Sequence, residues 1–122
     1  MTTSTTPKPN FQRGDVVLVL FPNSDLRSAK TKPALIIQTN NLETGLSQII
    51  IAMITSNMSR AGHPSRYLID VRSSIGQASG LVTDSIVMTD NLTTIAASAI
   101  YRVIGSLPMA EIDQALRHTL GL

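Results

Sequence analysis

Two short stretches join a polar head to an apolar strand. Residues 31–37 read Thr-Lys-Pro-Ala-Leu-Ile-Ile, and residues 50–56 read Ile-Ile-Ala-Met-Ile-Thr-Ser. A polar residue at the edge of an apolar strand is held by the packed strand while its head stays open to a ligand. Lys32 brings a positive charge; Thr55 brings a hydroxyl, with Ser56 beside it. Together they suit a phosphate, because an ammonium neutralises its charge and an O–H donates to a non-bridging oxygen. Pro33 biases Lys32 toward an extended backbone. Each residue alone also fits an ordinary role, as an exposed lysine at a strand start or a hydroxyl closing a turn. The pairing is what points to nucleic acid.

Other reactive side chains are sparse. His63 has the titration range for acid–base work, but it precedes Pro64 on a polar loop and equally suits a surface histidine. His118 falls on the outer part of an expected helix, and Asp25 and Asp84 suit turn capping as well as base chemistry. There is no HExxH, no phosphate-cradling glycine loop and no pattern of Ser, His and Asp that builds a triad. Two separated histidines and no cysteine give no metal pattern, so no cofactor and no metal are expected. Arg27, Lys30, Arg60 and Arg66 remain as cations that would track flanking phosphates.

The elements that must position these groups are mostly strands. Residues 15–21 form a β-branched run between Gly14 and Pro22, and 22–31 read as a polar loop. Strands follow at 33–39, 47–55, 66–71, 86–89 and 100–105, with a second polar loop at 57–65. Strand upon strand at this length favours a strongly bent sheet or small barrel. The end differs. Met109, Ile112, Leu116 and Leu120 recur at helical spacing, which predicts a helix over 108–120 with Pro108 in its first turn and Gly121 as its stop.

With 122 residues, 43% of them hydrophobic, the chain is expected to form one domain over residues 11–122. Residues 1–10 are Thr/Ser/Pro/Lys-rich and read as a disordered tail. The absence of an apolar signal core, a membrane-length run or any cysteine fits a soluble cytoplasmic protein with no membrane partner. The net charge of +2 is uneven: eight Lys/Arg face four acids up to Arg72, and two Arg face four acids afterwards. That suits an anionic ligand on loops of the first half, and also a merely uneven solvated surface.

Read in order, these pieces resemble the MazF/PemK toxins. Gly14-Asp15-Val16-Val17, a loop with Asp25-Leu26, and Lys32-Pro33-Ala34-Leu35-Ile36-Ile37 are similar to the family's opening. Ile54-Thr55-Ser56, Ser79-Gly80-Leu81 through Asp84-Ser85, and Ile100 to Gly105-Ser106-Leu107 are similar to its later motifs. The resemblance implies a mainly β fold, an SH3-like small β-barrel (MazF/CcdB-like) with a C-terminal α-helix. It implies the toxin of a type II toxin–antitoxin system, a homodimeric, metal-independent endoribonuclease that cleaves single-stranded RNA at specific sequences. A MazE-like antitoxin peptide is the implied partner. The family's catalytic threonine falls on Thr55 and its catalytic arginine on Lys32, a departure that exchanges a planar fork for a point charge. The expected reaction is attack of the RNA's 2′-hydroxyl on phosphorus, with Lys32 and Thr55 catalytic and Arg27, Lys30, Ser56, Arg60, His63 and Arg66 binding RNA. The base stays open between His63 and Asp25. Two alternatives stand beside this: a weakened or inactive relative acting as a regulatory or gyrase-directed binder, and a small peptide-binding domain. The absence of tryptophan counts against the gyrase option.

Overall fold

The computed structural model describes residues 11–22, 25 and 27–122; the expected tail at 1–10 and Leu26 of the first loop lie outside the described residues. Six strands form one antiparallel sheet in the spatial order β4-β5-β3-β2-β1-β6. They are β1 (Asp15–Pro22), β2 (Ala29–Ile36), β3 (Gln48–Thr55), β4 (Arg66–Ile69), β5 (Ser85–Ala96) and β6 (Ile100–Ser106). The sheet curls into a half-barrel, and α2 (Ala110–Leu120) closes one face. A five-residue helix, α1 (Ser74–Ala78), lies between β4 and β5. No helix among the described residues is long and apolar enough to cross a membrane.

Both faces of the sheet are covered at its centre, which is why β1 and β3 read as continuous apolar runs. On one face Val16, Leu35, Ala52, Ile54 and Val87 pack against Ile112 and Leu116 of α2. On the other, Val17, Val19, Ala34, Ile36, Ile51, Ile95 and Ile100 form a second cluster. The helix begins at Ala110, so Pro108 precedes it rather than entering its first turn. Leu120, expected on the packed stripe, is exposed, whereas Ala115 is buried. Gly121 does end the helix, in the left-handed conformation (φ 71°), and its N–H returns to the Arg117 carbonyl.

Two strands are longer than their apolar content suggests. β2 starts at Ala29, inside the expected loop, because the hairpin with β1 stays in register out to Pro22↔Ala29. Its exposed Lys30, Thr31 and Lys32 are strand residues by pairing, not by burial. β5 runs over twelve residues through the polar Asp90, Asn91, Thr93 and Thr94.

Thr89, fully buried in β5, ties the sheet to the helix. Its hydroxyl bonds the Ser65 carbonyl and lies 2.7 Å from the Thr119 hydroxyl of α2. Thr89→Val keeps the shape and removes these partners, so denaturant titration should show a loss of about 1–3 kcal/mol. Thr94→Val, at an exposed position of the same strand, should stay within about 0.5 kcal/mol.

Candidate functional site

Where β2 meets β3 the ladder ends early. The observed pairs Ala34↔Met53, Leu35↔Ala52 and Ile36↔Ile51 would continue as Pro33 opposite Ile54 and Lys32 opposite Thr55. Pro33 has no N–H to contribute, and the pairing stops one residue before it. The strands part, and a cleft of about 780 Å³ opens at the gap, lined by Lys30, Lys32, Thr55, Ser56 and Arg60 among others. Five of the eight residues singled out in the sequence therefore meet in one place.

Two local contacts prepare the central pair. Thr55 Oγ1 accepts a hydrogen bond from the Asn57 backbone N–H at 3.1 Å. One lone pair is thus engaged, and the hydroxyl proton is left to donate outward. The Lys32 ammonium lies 5.4 Å from the centroid of the Phe21 ring, a cation–π contact that holds the flexible stem without neutralising the charge.

The cations sort by partner. Arg13 pairs with Asp113 at 2.6 Å, Arg66 with Asp90 at 2.8 Å and Arg72 with Asp70 at 3.4 Å. Lys30, Lys32, Arg60 and a cation from the second half, Arg102, line the cleft, and none of them forms an ion pair among the described residues. Among the described residues no carboxylate lines the cleft. Four uncompensated positive charges in a concave site concentrate field toward an anionic ligand.

Arg27, His63 and Arg66 do not line this cleft. Arg27 follows the turn at Asp25, whose carboxylate accepts its backbone N–H at 2.9 Å. That N–H bond holds Asp25 below the usual carboxylate range, which makes it a weaker base. His63 packs edge-on against His118 of α2, ring centroids 5.9 Å apart, and its Nδ1 accepts from Ser65 N–H. Arg66 lines a separate hollow of about 510 Å³ beside Glu111 and His118. It also braces the cleft from behind, donating to Asp90 and, through Nη1, to the Arg60 carbonyl at 3.1 Å. Its guanidinium holds the Asp90 carboxyl below the ordinary value. Asp84 accepts from Val71 N–H, a turn-closing bond.

Asn57, Asn91 and Arg102 also line the cleft and were not picked out in the sequence, and Gly80–Thr83, read there only as part of a family motif, forms its lip. The polar Asp90-Asn91 pair inside a β-branched strand was a usable signal; nothing local marked Arg102.

A family model described as PemK-like, MazF-like toxin of type II toxin–antitoxin system matches residues 12–120, nearly the whole chain. This chain belongs to the PemK/MazF toxin family. Endoribonuclease MazF6 of Mycobacterium tuberculosis is 30% identical over 107 residues, spanning 84% of this chain and 90% of the relative. Endoribonuclease MazF2 of Mycobacterium bovis matches to the same extent. Among solved structures, a mycobacterial endoribonuclease in complex with its cognate antitoxin superposes with a TM-score of 0.69 at 22% identity, covering 91% of this chain and 95% of that one. A MazE–MazF complex from Deinococcus radiodurans gives 0.70 at 14% identity, with 94% and 99% covered. These two structures establish the PemK/MazF fold, the half-barrel with its C-terminal helix.

Proposed function

We propose that this toxin is a metal-independent endoribonuclease that cuts single-stranded messenger RNA in the cytoplasm, with Lys32 and Thr55 at the reacting phosphate. One observation carries the reading: Lys32, which forms no ion pair, and Thr55, whose hydroxyl proton is left to donate, line one cleft in which no carboxylate stands among the described residues. The 2′-hydroxyl of the RNA attacks the adjacent phosphorus, the 5′-oxygen leaves, and a 2′,3′-cyclic phosphate remains. Lys32 neutralises charge gathering on the non-bridging oxygens, and Thr55 donates to one of them. Lys30, Ser56 and Arg60 hold flanking phosphates, and Arg66 positions Arg60. Neither an imidazole nor a carboxylate lines the cleft among the described residues, and in this reading the 2′-hydroxyl proton passes to water while the departing 5′-oxygen takes one from water. The partners are a MazE-like antitoxin peptide, which occludes the cleft, and a second copy of the chain. Tyr101 and Val103 on edge strand β6 and Leu20 on β1 are exposed and available to that copy.

The test is cleavage of a long unstructured RNA with chelator present and all ends mapped. Cyclic-phosphate and 5′-hydroxyl ends are expected. Cutting that needs added metal, or none on any RNA, overturns the reading. His63→Ala should hold the rate within about twofold, whereas loss of a general base costs about 10²–10⁴-fold.

A further inference from the structure

The strand pairing of β5 contains an insertion that serves the cleft. Met53 pairs with Met88, but the next β3 residue, Ala52, pairs with Leu92, so residues 89–91 have no partner on β3. Such bulges re-aim side chains. Two of the three are committed elsewhere: Thr89 is buried against α2, and Asp90 holds Arg66. The third, Asn91, is exposed, lines the cleft, and its side chain makes no hydrogen bond among the described residues. The Arg66 bridge from Asp90 to the Arg60 carbonyl fixes the bulge against the wall that carries Arg60.

Among the described residues no aromatic side chain lines the cleft, so nucleobases have no stacking platform from them and selectivity falls to hydrogen bonds to base edges. We propose that Asn91 reads one base of the bound RNA through paired hydrogen bonds from its carboxamide, separating the amino bases adenine and cytosine from the keto bases guanine and uracil. Adenine and cytosine offer an exocyclic amine beside a ring-nitrogen acceptor, and guanine and uracil a carbonyl beside a ring N–H; the amide oxygen and NH₂ of asparagine match one pattern or the other, and a held orientation admits only one. Met53, which pairs with Met88 beside the bulge, lies two residues from Thr55, roughly 7 Å along β3. The base read therefore lies about one or two nucleotides from the cut phosphate. This assignment rests on the ribonuclease reading for the identity of the ligand.

Two measurements test it on the full chain. Cut sites are mapped on a random-sequence RNA pool, and binding is measured to an oligonucleotide panel with 2′-deoxy at the cut nucleotide. Wild type should prefer one of the two pairs, adenine and cytosine or guanine and uracil, at one fixed position by roughly 5- to 100-fold. Asn91→Ala should flatten that position alone. Asn91→Asp, which can only accept, should shift it toward guanine, whose N1–H and exocyclic amine are both donors. Thr94→Ala, outside the cleft lining on the same strand, should keep the wild-type profile. An Asn91→Ala profile identical to wild type overturns the proposal, as does a wild type indifferent to base at every position. If wild type cuts no RNA, the cleavage reading fails separately. Asn91-dependent base preference in the binding panel would then still support the assignment, and its absence would overturn it.

Discussion

Lys32→Ala should lower kcat for RNA cleavage by about 10²–10³-fold, the usual cost of removing one preorganised stabiliser of transition-state charge. The magnitude separates chemistry from folding. Lys32 is exposed, and its recorded contact is the cation–π approach to Phe21, worth about 0.5–1 kcal/mol. A stability loss of that size leaves the protein folded, so the rate effect would belong to the site. Thr55→Ala should act on the same scale, while Thr55→Ser retains the hydroxyl and most of the rate. Lys32→Arg is the sharper probe. A guanidinium keeps the charge and adds a planar pair of donors to the phosphate oxygens, so cutting should match or exceed wild type. Single-turnover cleavage of one mapped site measures all four variants. Wild-type rates in Lys32→Ala would remove this residue from the chemistry and leave Arg102 or Arg60 as the groups to examine. Cutting lost in Lys32→Arg as well would mean that positive charge alone does not serve the site and that the compact ammonium head is required.

That Lys32 and Thr55 would share one cleft was legible because it needs little beyond local information. Lys32 and Thr55 are polar ends of apolar strands, and the β2–β3 pairing brings both to one cleft. The strand content and C-terminal helix were legible for the same reason, since period and punctuation are local signals. What was hidden is tertiary. Arg66 looks like a free cation until Asp90, 24 residues on, reaches it. Arg102 sits in the half of the chain whose net charge is negative, yet β6 brings it beside Leu18, which also pairs with Pro33. The start of β2 has no apolar residue beyond Ala29 to announce it and exists because β1 templates it. Helix α1 is too short for periodicity; its serine cap and the close packing of Gly76 against the Asp70 backbone hold it.

Gly80→Ala should destabilise the fold by about 2–4 kcal/mol and open the cleft as well. Gly80 has φ +75°, which costs an alanine about 1–2 kcal/mol by itself. A methyl group there would also run into the Ile104 carbonyl of β6, a backbone atom that cannot rotate aside. Relief requires the Gly80–Thr83 lip to lift from β6, and that lip is one wall of the cleft. Gly62→Ala isolates the first of these effects. It has φ +91° but nothing within 4 Å of the added carbon, so it should cost only about 1–2 kcal/mol. Denaturant titration gives the two costs, and their difference is the price of contact with β6. RNA affinity then separates wall geometry from global stability. A lifted lip weakens binding in Gly80→Ala under conditions where both variants are fully folded, while Gly62→Ala binds as wild type. Equal costs and equal affinities would show that the lip does not depend on its seat against Ile104.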